Sequence, residues 1–229
     1  MHLFLNIKVA APRLVHNFAT TSFYRTSRCQ PIFQKTETLV DYLAKPHKNP
    51  TSTVFKGTSF ELEAKEVLEK YGMRLHHSGG RGDKGVDLRG IWQLEADQNS
   101  PPYIIAQCKN VNKKCQPEHI RSLIGTVVAE SRTEPTIGIF VTSNKNFTKE
   151  VVADFKSCHL PLMLVKIADC QLKSLALNPA AEKLLPGYAV TTRFTTQGVP
   201  EVVFTFDGRI VELPTPISKE TANRTVTEG

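Results

Sequence analysis

The chain has 229 residues, of which 40% are apolar and 22% are charged, and its formal net charge is +7. This length accommodates one domain with short extensions. A transmembrane helix is not expected, because it would need a run of about 20 apolar residues and the sequence has none. The five cysteines form no CxxC pair and no zinc-type spacing with histidine, so we expect free thiols in a reducing compartment.

The first 36 residues differ in composition from the remainder. They contain five basic residues and no Asp or Glu, which leaves 24 basic against 22 acidic residues in the rest of the chain. An acid-free segment that bears Arg, Ser and Thr is typical of a mitochondrial transit peptide. We therefore predict a transit peptide over residues 1–36 and a location in the mitochondrial matrix. A disordered basic arm that contacts nucleic acid is the alternative.

A change in pattern near residue 57 predicts the start of a folded domain. Residues 37–56 combine a short helix-like stretch with two prolines and several polar residues, which indicates a linker. From Phe60 onward, apolar residues recur with helical spacing until Gly72, so a helix is expected there. Thr58 and Glu61 have the spacing of a capping box at its start.

The elements that follow predict an α/β domain over residues 57–177. Strands are expected at 73–77, 86–92, 103–109, 136–142 and 161–166, and further helices after Pro117, at 148–157 and at 172–177. The resulting order, α-β-β-β-α-β-α-β-α, indicates a mixed sheet flanked by helices.

The C-terminal region predicts a small β meander rather than more α/β structure. Asp207-Gly208 is a strong hairpin-turn signal between two alternating stretches. We expect a β-hairpin extension over residues 178–213, with strands at 189–195, 202–206 and 210–213. The polar residues 214–229 are expected to form a flexible tail.

The glycine-rich segment SGGRGDKGVDLRG, residues 78–90, contains the pattern G-x-G-x-x-G. In a dinucleotide-binding loop this pattern opens a helix whose N terminus binds the pyrophosphate. Here it leads into a predicted strand, and no Gly-Lys-Ser/Thr follows, so both the dinucleotide loop and the P-loop are excluded. The Arg-Gly-Asp tripeptide within it would need a secreted protein to act in adhesion. We expect a hairpin that delivers Asp87 to the start of a strand.

Asp87 and the neighbouring strand end Gln107-Cys108-Lys109 form a pattern suited to phosphodiester hydrolysis. That reaction needs a divalent cation and an activated water, and Mg²⁺ prefers carboxylates together with other oxygen ligands. Strand alternation places Gln107 and Lys109 on one face, where a lysine can hold the water or stabilise negative charge. A salt bridge between Asp87 and Lys109 without a catalytic role is the alternative.

These motifs occur in the order found in a known family: Phe60-Glu61, Gly85-Val86-Asp87, Gln107-Cys108-Lys109 and the helix 120–128. The chain resembles the Mrr branch of the PD-(D/E)xK restriction-endonuclease-like superfamily over residues 57 to about 177. With its N-terminal composition it is also similar to fungal mitochondrial proteins required for respiratory growth. The resemblance implies an α-β-β-β-α-β core and Mg²⁺-dependent cleavage of DNA.

The same resemblance implies a role for each motif residue. Asp87 would be the principal metal ligand, Gln107 would stand at the usual Asp/Glu position, and Lys109 would be the catalytic lysine. A neutral amide attracts Mg²⁺ less than a carboxylate does, and Glu61, as an additional metal ligand, would compensate. A purely structural role for Glu61 in the capping box is the alternative.

Basic residues around these motifs are candidates for contacts with nucleic-acid phosphates: Arg81, Lys84, Lys113, Lys114, Arg121 and Lys145. We expect a mitochondrial, Mg²⁺-dependent endonuclease that acts on DNA in genome maintenance, as a homodimer if it cleaves both strands. A catalytically inactive nucleic-acid-binding or assembly factor on the same fold is the alternative.

Overall fold

The computed structural model describes residues 37–46, 49–79, 85–94, 100–110, 114–131, 134–143 and 146–211. The predicted transit peptide and the predicted C-terminal tail lie outside the described residues, as do Arg81, Lys84, Lys113 and Lys145. No helix within the described ranges is long and apolar enough to cross a membrane.

Two helices precede the first strand, α1 at Leu39–Leu43 and α2 at Thr53–Glu69. Helix α2 begins earlier than predicted, because Ser52 is its N-cap and accepts the backbone N–H of Phe55. Within the range predicted as a linker, 37–56, the short helix-like stretch is α1, and residues 53–56 form the first turn of α2. The cap is a single-residue signal that the apolar periodicity does not reveal.

Six strands form one mixed sheet in sequential order: β1 Met73–His77, β2 Leu88–Trp92, β3 Tyr103–Lys109, β4 Thr136–Thr142, β5 Leu162–Ala168 and β6 Gln171–Leu177. The central strands β3, β4 and β5 are parallel, and the outer pairs are antiparallel. Helix α3, Pro117–Glu130, connects β3 to β4, and α4, Lys149–Ser157, connects β4 to β5. The predicted mixed α/β architecture is confirmed.

Strand β6 replaces the helix predicted at 172–177. Leu172 and Leu175 are three residues apart and both buried, which is a helical spacing. In the structure, the register with β5 shifts so that Ile167 pairs with Leu172 while Lys166 pairs with Ser174. This β-bulge turns both leucines toward the core within an extended strand.

Helices cover both faces of the sheet. Apolar residues of α2 share one core cluster with Ile104, Ala106 and Cys108 of β3. A second cluster joins α3 and α4 to Phe140 of β4 and to β5. Residues of the central strands are buried on both faces, as expected for parallel strands covered by helices.

The C-terminal region contains a short helix and a second sheet. Helix α5, Pro179–Leu184, was not predicted, whereas the meander of β7 Tyr188–Phe194, β8 Pro200–Phe206 and β9 Arg209–Ile210 was. Asp207 and Gly208 have φ values of 46° and 79°, which fit the predicted hairpin turn. Phe204 packs edge-on against Trp92 of β2, so this sheet contributes to the first core cluster.

Asn178 connects three elements beneath the start of α5. It is fully buried, and its Oδ1 accepts the N–H groups of Leu162 and Ala181, both at 2.9 Å. Its Nδ2 lies within 3.3 Å of three carbonyl oxygens around the end of α4, the nearest being that of Leu160 at 2.8 Å. Removing this amide would leave several buried backbone groups without partners.

Asn178→Ala is expected to lower the free energy of unfolding by about 3 kcal/mol, because it removes a helix cap and leaves buried polar groups unsatisfied. Urea titration followed by circular dichroism measures this loss. The matched control is Asn146→Ala at an exposed position, which should change stability by less than about 0.5 kcal/mol. A loss below about 1 kcal/mol for Asn178→Ala would contradict the role given to its amide.

Candidate functional site

Asp87 is held at the start of β2 by hydrogen bonds from three directions. Its backbone N–H donates to the Ala106 carbonyl at 2.9 Å, and its own carbonyl accepts the N–H groups of Ser78 and Gly79 at 2.8 and 3.1 Å. Its side-chain Oδ2 accepts the N–H of Cys108 at 2.7 Å. Asp87 is 7% exposed, so a buried carboxylate is fixed against the end of β3.

Gln107 and Lys109 flank this contact on β3. Gln107 is buried, and its Nε2 donates to Thr126 Oγ1 of α3 at 3.4 Å. Alternation along β3 places Lys109 on the same side of the sheet as Gln107. Asp87 binds the peptide N–H of Cys108, and Lys109 is the next residue. Asp87 and Lys109 therefore lie at the same end of the adjacent strands β2 and β3.

Gly85 leaves room for the Gln107 side chain. Its φ is +78°, and a Cβ there would lie only 2.9 Å from Gln107 Nε2. Any other residue would therefore combine an unfavourable backbone conformation with a steric conflict. The positive φ is the stronger reason for glycine before the Val86-Asp87 pair, because the end of the Gln107 side chain can move.

Glu61 approaches from α2 and contacts His77, the last residue of β1. Its Oε2 lies 2.7 Å from His77 Nε2. The capping-box interpretation of Glu61 is wrong, because α2 begins at Thr53 and both Thr58 and Glu61 lie inside the helix. Helix capping therefore does not account for a glutamate at this position.

The charges of Glu61, Asp87 and Lys109 shift the pKa values of neighbouring side chains. The pKa of the Cys108 thiol is raised well above its usual value by burial and then by the carboxylates of Asp87 and Glu61, while Lys109 opposes the shift. The pKa of His77 is raised by its hydrogen bond to Glu61, against desolvation, with further contributions from the charges of Glu61 and Asp87. All three charges thus act on the Cys108 thiol. Glu61, His77, Asp87 and Lys109 are hereafter called the electrostatic cluster.

His77 is the residue of this cluster that sequence reasoning did not assign to the site. It pairs with Leu88 across β1 and β2, so alternation directs it to the same side as the core residues that face α2. Its neighbour His76 points the other way and lies near Arg89. Alternation with the buried residues Met73 and Leu75 of the same strand is the sequence signal that distinguishes the two histidines.

A shallow groove of about 280 Å³ opens beside Glu61 and is hereafter the α2 groove. It is lined by Thr53, Val54, Gly57, Thr58, Glu61 and Gly79. Five of the six lining residues belong to the first half of α2, and Gly79 belongs to the glycine-rich segment. The groove gives an approach to the electrostatic cluster.

The predicted phosphate contacts can be located for two of the six basic residues. Lys114 is exposed. Arg121 is also exposed, and its Nε lies 3.1 Å from an oxygen of Asp154 on α4, so an acidic residue shares its surface. The other four residues lie outside the described residues, and a phosphate track stays a prediction.

The oxygen-rich composition of the site fits magnesium better than zinc. Asp87 and Glu61 offer carboxylates, and Gln107 offers an amide oxygen, whereas Mg²⁺ needs one or two carboxylates and otherwise binds water and substrate. Within the described part of the chain, no group of three or more His, Cys, Asp or Glu residues could hold a metal.

Comparison with known proteins gives matches over the α/β domain. A family model described as restriction endonuclease matches residues 53–170, just over half of the chain. An uncharacterized mitochondrial protein of Schizosaccharomyces pombe is 28% identical over 56% of this chain and 51% of its own length. The mitochondrial protein "required for respiratory growth protein 7" of Kluyveromyces lactis is 25% identical over 57% of this chain and 72% of its own.

The corresponding protein of Saccharomyces cerevisiae is 26% identical over 51% of this chain and 66% of its own length. The chain thus spans about half the length of the Schizosaccharomyces protein and about two thirds of the Saccharomyces one. No solved structure matches at a comparable level of significance. These relatives are all named as mitochondrial, which confirms the mitochondrial location predicted from the N-terminal composition.

The contact between His77 and Glu61 is expected to make stability depend on pH. A folded-state pKa raised above 6.5 contributes stability that is fully present below the unfolded pKa and is lost as pH rises through the folded pKa. In EDTA, the wild type should therefore exceed His77→Gln in unfolding free energy by more at about pH 5.5 than at about pH 8.5. Urea titrations at the two pH values measure the difference.

His76→Gln is the matched control, because the pKa of His76 is lowered by desolvation and by Arg89. A lowered pKa contributes stability that is lost as pH falls, so this variant should show the opposite pH dependence. Equal pH dependence of the wild type and His77→Gln would show that the histidine gains nothing from Glu61.

Proposed function

The chain belongs to the Mrr-type restriction endonuclease family, and from this membership we propose that it hydrolyses phosphodiester bonds of DNA with bound Mg²⁺. The observation that carries the proposal is the Asp87 carboxylate bound to the Cys108 N–H, immediately before Lys109. An acid that would hold the cation and an amine that would stabilise negative charge thereby lie at the same end of adjacent strands.

The residues present fit a divalent cation of the magnesium type. Asp87 and Glu61 would hold it through carboxylate oxygens, and Gln107 through its amide oxygen. When bound, the cation supplies positive charge against the negative charge that develops on the phosphate and favours deprotonation of water. The two carboxylates come from different elements, so cation binding would also link α2 to the sheet.

The chain's own groups orient this site. The Cys108 N–H fixes one oxygen of Asp87, and His77 fixes one oxygen of Glu61. Gln107 is oriented by Thr126 of α3. The amine of Lys109 would donate a hydrogen bond to the attacking water or to a phosphate oxygen, which stabilises the charge formed in the transition state.

Cellular context extends the proposal. Two relatives are named for a requirement in respiratory growth, and we place the activity of this chain in the mitochondrial matrix, in maintenance of the mitochondrial genome. Cleavage of both strands of a duplex needs two copies of the site, which favours a homodimer.

A second candidate is a nucleic-acid-binding factor without cleavage activity. It is favoured by Gln107, a neutral residue where the superfamily pattern has a carboxylate, because an amide binds Mg²⁺ more weakly. This candidate predicts salt-dependent binding of DNA or RNA together with no metal-dependent cleavage.

Asp87→Asn is expected to reduce Mg²⁺-dependent cleavage of a labelled DNA duplex at least about a hundredfold, because it removes the principal charge of the cation site. An asparagine oxygen can still accept the Cys108 N–H, so the fold should persist. Single-turnover cleavage assays measure the rate, and circular dichroism checks the fold.

The matched control is Asp169→Asn, which makes the same chemical change at a side chain that is 88% exposed. The Asp169 carboxylate lies 3.6 Å from the amine of Lys173. Its cleavage rate should equal that of the wild type. Wild-type cleavage retained in Asp87→Asn would refute the proposed role of Asp87, and absence of cleavage by the wild type with Mg²⁺ or Mn²⁺ would refute the nuclease.

A further inference from the structure

We propose that the α2 groove binds the nucleoside, sugar and base, next to the phosphodiester that is cleaved. This assignment rests on the proposed function and adds a substrate-positioning surface to it. Its residues, apart from Glu61, were not predicted to belong to the site.

The α2 groove follows one face of a helix. Thr53, Gly57 and Glu61 are spaced by four residues and Val54 and Thr58 likewise, so their side chains lie along adjacent rows of the helix surface. The rise per residue gives the groove a length of about 12 Å between Thr53 and Glu61. Glu61 forms its inner end, where it also contacts His77.

The α2 groove is attached to the strand that carries the predicted catalytic lysine. Asn110, which follows Lys109, donates from Nδ2 to the carbonyl of Lys56 at 3.3 Å. Lys56 lies between the groove residues Val54 and Gly57, so the start of α2 is tied to the end of β3. A substrate strand whose phosphate lies at the electrostatic cluster would therefore extend its next unit into the groove.

The lining selects the uncharged part of a nucleotide. Glu61 is the charged side chain among the six lining residues, and a carboxylate repels a second phosphate. Thr53 and Thr58 provide hydroxyl groups for hydrogen bonds to sugar or base, and Val54, which is 72% exposed, provides apolar contact. This mixture of hydroxyl and apolar groups matches a nucleoside.

Gly57 keeps the α2 groove open at a cost to helix stability. Glycine inside a helix is less stable than alanine, because it loses more backbone entropy on folding. A Cβ at this position would lie 3.8 Å from Glu61 Oε1, an ordinary contact that the fold tolerates. Alanine would therefore stabilise the helix while its methyl group occupies the floor of the groove.

The test is Gly57→Ala in the full chain, compared with Gly125→Ala in α3. A Cβ at position 125 would meet nothing within 4 Å, so both variants should raise the melting temperature by about 2–4 °C. Gly57→Ala should raise the KM for fluorescein-labelled DNA on the order of tenfold with a smaller effect on kcat. Gly125→Ala should keep the wild-type KM.

Two small substrates distinguish a nucleoside from other occupants. Gly57→Ala should raise the KM for thymidine p-nitrophenyl phosphate and leave hydrolysis of methyl p-nitrophenyl phosphate, which lacks a nucleoside, unchanged. Equal effects on both substrates, or a wild-type KM for labelled DNA, would overturn the assignment.

Failure of the proposed function would be visible separately, because the wild type would then cleave none of these substrates. In that case, fluorescence anisotropy of the labelled DNA measures whether the α2 groove contributes to DNA binding. Weaker binding by Gly57→Ala than by Gly125→Ala would support it as a nucleic-acid subsite, and equal binding would overturn it.

Discussion

The hydrogen bond from the Cys108 N–H to the Asp87 carboxylate is the contact on which the candidate site depends. Strand β3 pairs antiparallel with β2 on one side and parallel with β4 on the other. At the start of β2, the side-chain oxygen of Asp87 accepts the N–H of Cys108 in β3, in place of a backbone carbonyl. A buried N–H needs such a partner, and a buried carboxylate needs a donor, so each group satisfies the other's requirement. The charge is thereby held at the peptide N–H of Cys108, the residue before Lys109.

The remaining site residues are positioned by packing that serves the core. The apolar side of α2 seals one face of the sheet, and this docking brings Glu61 to His77 at the end of β1. On the other face, α3 supplies Thr126, which orients Gln107. The site is thus assembled from both faces at one end of the sheet, so that stability and the geometry of the site depend on the same helices.

Much of this arrangement could be predicted from the sequence. The boundaries of β1, β3 and β4 follow from apolar runs and turn residues, and the motif order located Asp87, Gln107 and Lys109 at facing strand ends. The structure departs where a local cap or a bulge overrides periodicity, as at Ser52 and in β6. The partnership of His77 with Glu61 and the α2 groove depend on the register of β1 and on the docking of α2, which no local pattern encodes.

The most direct test of the account is a crystal structure of the full chain soaked with Mn²⁺, with anomalous density used to locate the cation. The account predicts one peak within coordination distance of carboxylate oxygens of Asp87 and Glu61, with the Lys109 amine facing the same space. Anomalous density elsewhere in the molecule, or a Lys109 amine directed to the opposite side of the sheet from Asp87, would contradict it.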